Sequence, residues 1–176
     1  KKLSGRGDTP LVYMTYLNVL FKYGYDKFLQ NAKDAGISGV IVPDLPYEEK
    51  DELQSVAEKY DIDVISLIAP TSEDRIKMIA SDAKGFIYTV SSMGVTGMRN
   101  EIKTDLQSIV SHIKSVTDVP VAIGFGINKP QQAKEFSAYA DGVIVGSAIV
   151  NIVAEHGKDA PEYVFDYVKS MKDAIR

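Results

Sequence analysis

The chain has 176 residues, 45% apolar and 25% charged, with 13 Gly and 7 Pro, which is the mix of one globular domain and excludes disordered, collagenous or linker-rich protein. Twenty basic against 24 acidic side chains leave a net charge of -4, and no basic stripe tracks a phosphate backbone, so nucleic-acid binding is disfavoured. The absence of Cys removes disulfides, thiolate nucleophiles and cysteine-type zinc sites, and no apolar run reaches the roughly 18 residues of a membrane span, so a cytoplasmic protein is expected.

In chain order, the first β-branched and aromatic run, residues 11–16, predicts a strand. Tyr25, Phe28, Leu29 and Ala32 then recur at helical spacing before a second strand at 39–42. Pro46 and an acidic turn open a helix whose buried stripe is Leu53, Val56, Ala57 and Tyr60, and residues 63–68 form the third strand. Ser72 ahead of Glu73 and Asp74 signals another helix start, followed by a strand at 85–90. Ile102, Leu106, Ile109, Val110 and Ile113 mark the next helix, and 119–124 the fifth strand. Asn128 before Pro130 starts a helix, and 142–145 is the sixth strand. Asp159 before Pro161 opens the last helix, expected to bury Val164, Val168, Met171 and Ile175.

Strands alternating with helices predict an α/β fold with a parallel sheet, and continuous apolar runs suit strands covered on both faces. Strand starts are spaced by 26 residues on average, as repeated βα units require. Two architectures fit: an open doubly wound sheet, or a (β/α)8 TIM barrel of which about six units are present and the first two lacking, within a single domain over 1–176.

Either architecture binds ligands at the carboxyl ends of its strands. The loop 91–100 is the longest and most Gly-punctuated, which makes it the lid candidate. The fifth strand ends in Gly124-Phe125-Gly126 and the sixth runs into Gly146-Ser147. Gly lets backbone approach a ligand, and Gly-Ser entering a helix offers free amides and the positive dipole end to a dianion, which together describe a phosphate cradle. The plainer reading is two turn glycines and an N-cap serine. Asp44, between two prolines, is either a general base or the cap of the helix that follows it. Tyr88 faces a pocket or the core, and His112 and His156 read as surface residues. Lys129 stands where a dinucleotide fingerprint needs its third Gly, and no Walker A string is present.

From about Pro10 onward the sequence resembles the α subunit of tryptophan synthase. The resemblance rests on Pro10-Leu-Val-Tyr-Met-Thr-Tyr-Leu-Asn18, Gly39-Val-Ile-Val-Pro-Asp-Leu-Pro46, Phe86-Ile-Tyr-Thr-Val-Ser91, Gly94-Val-Thr-Gly97, Gly124-Phe-Gly126-Ile127 and Gly146-Ser-Ala-Ile-Val150, in family order. It implies the barrel, and a lyase that reversibly cleaves indole-3-glycerol phosphate to indole and glyceraldehyde 3-phosphate for tryptophan biosynthesis. It also implies a β-subunit partner, which would hold the pyridoxal phosphate; no cofactor is expected in this chain. Gly97, Gly126, Gly146 and Ser147 would bind the substrate phosphate, and Met14, Ile41, Phe125 and Ile144 would line the indole pocket. Tyr88, Asp44 and Thr96 would support catalysis, Thr96 from the lid and Asp44 from the pocket rim. The family's two main catalytic carboxylates belong to strands or loops one and two and have no counterpart here, so no main acid or base is assigned. The rival expectations are another phosphate-binding barrel enzyme and a noncatalytic phosphate-binding fragment.

Overall fold

The computed structural model describes residues 7, 9–90, 106–124 and 126–175. Its contacts divide into two compact units, one running through Leu67 and including Asp82–Ile87, the other comprising Ile68–Ser81 and the chain from Tyr88 on. Within each unit the neighbouring strands whose register is described are parallel and consecutive in the chain, as crossover connections produce.

In the first unit β1 (Leu11–Met14) is followed by α1 (Leu17–Tyr23), α2 (Tyr25–Asp34) and β2 (Ile37–Ile41). A short 3-10 turn, Tyr47–Glu49, leads into α3 (Lys50–Lys59) and then β3 (Asp63–Ile68). β2 pairs parallel with both β1 and β3. The apolar stripes expected of α2 and α3 do face the core: Leu29, Ala32, Leu53 and Ala57 pack with Leu20, Val40 and Val42. Lys50 is buried among them, and its ammonium pairs with the Asp82 carboxylate while standing 4.3 Å over the Tyr47 ring.

The second unit carries α4 (Glu73–Ser81), the greater part of β4 (Ile87–Val90), α5 (Leu106–Lys114), β5 (Val121–Gly124) and α6 (Pro130–Phe136). β6 (Gly142–Val143), α7 (Ser147–His156) and α8 (Ala160–Ala174) complete it. α4 is capped as expected, with the Ser72 hydroxyl accepting from the Arg75 N–H at 3.4 Å. For α6 the donor and acceptor roles are shared differently: Gln132 Oε1 accepts from the amides of Asn128 and Lys129, both at 3.0 Å. β5 and β6 are parallel and clamped reciprocally at their start. The Asp141 N–H donates to the Val121 carbonyl, and the Val121 N–H donates to the Asp141 carboxylate, each at 2.9 Å.

Three expectations need correction. Several strands are shorter than the apolar runs: β1 stops at Met14, β4 starts at Ile87, β5 at Val121, and β6 is only Gly142–Val143. The residues beyond the ladder are apolar without being buried: Tyr16 is 64% exposed, and Phe86, Val119, Ile144 and Val145 are half-buried. Leu17 and Asn18, which follow the first apolar run and were assigned to no helix, belong to α1. Val168 of α8 is 45% exposed, while Ala160 and Met171 form that helix's buried contacts. Ile102 lies outside the described residues.

Candidate functional site

At the carboxyl end of the second unit the β5/β6 register aligns Ala122 with Gly142 and Ile123 with Val143, and the Ile144 N–H donates to the Ile123 carbonyl at 2.8 Å. Gly126 and Gly146 both follow the carboxyl ends of these strands in the chain. Gly126 has φ +82°, a conformation that favours glycine, and open space where a Cβ would stand. Gly146 is the N-cap of α7 and has equally open space at its Cβ position.

No side chain caps α7. The Val150 N–H is the amide that reaches back to the Gly146 carbonyl, at 3.1 Å, which leaves those of Ser147, Ala148 and Ile149 without intrahelical acceptors. Ser147 is exposed at the first position of the helix. Uncapped amides at the positive end of a ten-residue helix, with open space at Gly146, offer donors suited to an anion, and Gly126 follows the neighbouring strand with equally open space.

Tyr88 is 8% exposed and lies under Gly124 at the end of β5. Burial pushes its phenol pKa above the usual value, so at neutral pH the hydroxyl is a donor and not a phenolate. Half-buried Ile144 follows β6 in the same unit. Thr96, Gly97 and Phe125, expected in the lid, the phosphate site and the indole pocket, lie outside the described residues.

In the first unit Met14 and Ile41 are register partners at the carboxyl ends of β1 and β2, Met14 exposed and Ile41 buried. Asp44 follows β2 and does not cap its own following helix. Its Oδ1 accepts the Leu17 N–H at 2.8 Å, so it caps α1 across 27 residues of chain. Sequence spacing holds no signal for that contact, since donor and acceptor are brought together only by the β1/β2 pairing. The two histidines are partly covered: His112 Nε2 stands 3.5 Å from Glu73, and the His156 ring stacks on Tyr163 at 3.6 Å.

The profile of the tryptophan synthase alpha chain matches residues 2–176. The tryptophan synthase alpha chain of Lacticaseibacillus casei is 52% identical over 166 residues, covering 94% of this chain and 62% of that relative. That of Thermoanaerobacter sp. (strain X514) is 45% identical over 177 residues, covering 99% and 68%. This chain therefore spans about two thirds of the length of these curated relatives. Among solved structures, the alpha subunit from Campylobacter jejuni superposes with a TM-score of 0.81 at 38% identity, covering 94% of this chain and 66% of that one. A chain from a Pyrococcus furiosus study of the mutual activation of the tryptophan synthase a2b2 complex gives 0.85 at 34% identity, covering 98% and 70%. With strands and crossover helices in the same order, and identity of this extent along nearly its whole length, the chain belongs to the tryptophan synthase alpha chain family.

Proposed function

We propose that this chain is the phosphate-holding and indole-lining part of an α-type tryptophan synthase, comprising six of the eight βα units of its barrel. The reaction of that lyase is the reversible cleavage of indole-3-glycerol phosphate to indole and glyceraldehyde 3-phosphate. The observation that carries the reading is the uncapped start of α7 at Gly146 and Ser147, with the open, left-handed Gly126 turn after the neighbouring strand. A phosphate dianion there would take backbone N–H donors and the helix dipole without needing a cationic side chain. Gly97 would add a further contact. Met14, Ile41, Phe125 and Ile144 would receive the indole ring, with the Tyr88 hydroxyl donating toward substrate and Thr96 acting from the lid.

Retro-aldol cleavage needs an acid for the indole ring carbon and a base for the glyceryl hydroxyl. Asp44 is tied to the Leu17 amide and serves in this reading as a rim residue and not as either of those groups. In this reading residues 1–176 hold the phosphate end of the substrate, and an acid and a base would each contribute on the order of 10² to 10⁴ in rate. The same reading gives it a tryptophan synthase β subunit as partner, with pyridoxal phosphate on that subunit, and a cytoplasmic place consistent with a Cys-free sequence. Among the described residues no helix is long and apolar enough to cross a membrane.

The test is calorimetric titration with inorganic phosphate and glycerol 3-phosphate. Gly146→Val should weaken binding far more than Ser147→Ala, because the first blocks approach and the second removes one hydroxyl. Equal effects, or no binding by the unaltered chain, would overturn the cradle. Indole release at a full enzymatic rate, abolished in Asp44→Asn, would move the catalytic role to Asp44.

A further inference from the structure

The peptide group between Asn128 and Lys129 is held by side chains at both of its polar ends. Its carbonyl accepts the Tyr167 O–H at 3.0 Å, across 39 residues of chain, and its N–H donates to Gln132 Oε1 at 3.0 Å. A peptide group is planar, so fixing the carbonyl and the N–H fixes its orientation. The Asn128 N–H donates to the same Gln132 oxygen, and the Ile127 side chain is buried. The exit of the Gly126 turn is thereby anchored up to the start of α6.

The two anchors differ in what they tie together. Gln132 belongs to α6, so its bonds fix the turn to its own helix. Tyr167 stands on α8, which packs against α6 and also against α7, the helix that begins at Gly146. α8 therefore supports both helices into which the phosphate-binding glycines lead. The ladder of α6 makes no use of the Asn128 carbonyl, because it begins at the Lys129 carbonyl, which takes the Gln132 and Ala133 amides. Tyr167 is half-buried, and burial pushes its phenol pKa above the usual value, so the hydroxyl keeps its proton and donates.

We infer that Tyr167 is a positioning residue for the phosphate: its hydroxyl fixes the Asn128–Lys129 peptide to α8 and so holds the Gly126 turn in the left-handed form that receives the anion. The inference rests on the phosphate reading above and adds to it a residue that touches the turn from outside. A turn fixed before the ligand arrives loses less freedom on binding, and that saving appears as affinity.

Tyr167→Phe deletes the hydroxyl and keeps the ring. Calorimetric titration should show inorganic phosphate and glycerol 3-phosphate both bound about three- to tenfold more weakly than by the unaltered chain, the range that one hydrogen bond supplies. Amide exchange at Asn128 and Lys129 should quicken while Ile113 and Ile123 keep their rates. Ser72→Ala is the comparison. It removes the cap of α4, a loss of stability of similar size that does not touch the turn, and should leave both affinities unchanged. Phosphate binding by Tyr167→Phe equal to that of the unaltered chain would overturn the inference and leave the phosphate reading standing. Equal weakening by Ser72→Ala would overturn it as well, since the effect would then follow stability and not the turn. Unaltered exchange at Asn128 and Lys129 in Tyr167→Phe would overturn it whatever the affinities. If the unaltered chain binds neither ligand, the phosphate reading falls and takes the inference with it.

Discussion

The Tyr88 ring occupies the place where residue 124 would carry a side chain. A Cβ on Gly124 would come 2.6 Å from Cζ of that ring and nearer still to Cε2 and the hydroxyl. Gly124→Ala is therefore expected to overpack the β4/β5 contact and cost about 1–3 kcal/mol. Tyr88→Ala costs stability by itself through the cavity it leaves, yet in the double variant the methyl at 124 has room. Urea denaturation of the four proteins gives the coupling, and strictly additive losses would show that the two residues do not compete for one space.

Gly126 and Gly146 should separate cleanly. Gly126 sits at φ +82° in open space, so Gly126→Ala meets backbone strain and no collision, a loss of about 1–2 kcal/mol. Gly146 has φ -118° and equally open space, so Gly146→Ala should change stability by no more than about 0.5 kcal/mol. Thermal denaturation of the two variants checks the contrast; a larger loss at 146 would contradict it.

The carboxylate of Asp141 links stability to pH. Burial raises its pKa, but the Val121 N–H and the Lys114 ammonium, each at 2.9 Å, outweigh burial, so the folded value lies below the usual one. A carboxyl depressed on folding stabilises the protein above its unfolded pKa, about 3.9, and that contribution disappears as pH falls through the folded value. The Asp141 side chain is 45% exposed, so solvent screening keeps the contribution below about 1 kcal/mol at pH 7, and Asp141→Asn should lose that much and approach the unaltered protein as pH drops below about 4. A gap that stayed constant from pH 7 to 3 would remove the carboxylate as its cause.

Asp44→Ala should free the Leu17 amide. Loss of an N-cap acceptor costs about 0.5–2 kcal/mol, and hydrogen exchange should quicken at Leu17 while α3 keeps its rates. Unchanged exchange at Leu17 would mean that the contact contributes nothing to α1.

The strand centres and the long amphipathic helices were readable because burial imposes periodicity on the sequence: Leu29 and Ala32, Leu53 and Ala57, Ile109 and Ile113 all fall where the spacing puts them. α1 escaped that reading. It has seven residues, only Leu20 is buried, and its start is held by a carboxylate from another loop. Its apolar residues also lie on the outside, with Phe21 70% exposed, so composition there does not report burial. Ends of strands were misread because apolar character runs past the ladder into residues that are exposed or half-buried, such as Tyr16 and Val145, so hydropathy does not mark where pairing stops. At the site, the Gly126 turn and the Gly146 helix entry were visible as strand-end glycines. The Tyr88 and Gly124 contact was not, because it depends on which face of β4 Tyr88 takes.

α7 has no fully buried residue although its sequence is largely apolar; its half-buried face packs on α8, where the His156 ring stacks on Tyr163. If its first turn receives an anion, binding and helix formation become one equilibrium. A ligand at one hundred times its dissociation constant would add about 2.7 kcal/mol to the helical state. The amides that open residues 147–156 would then exchange more slowly when phosphate is present than when it is absent.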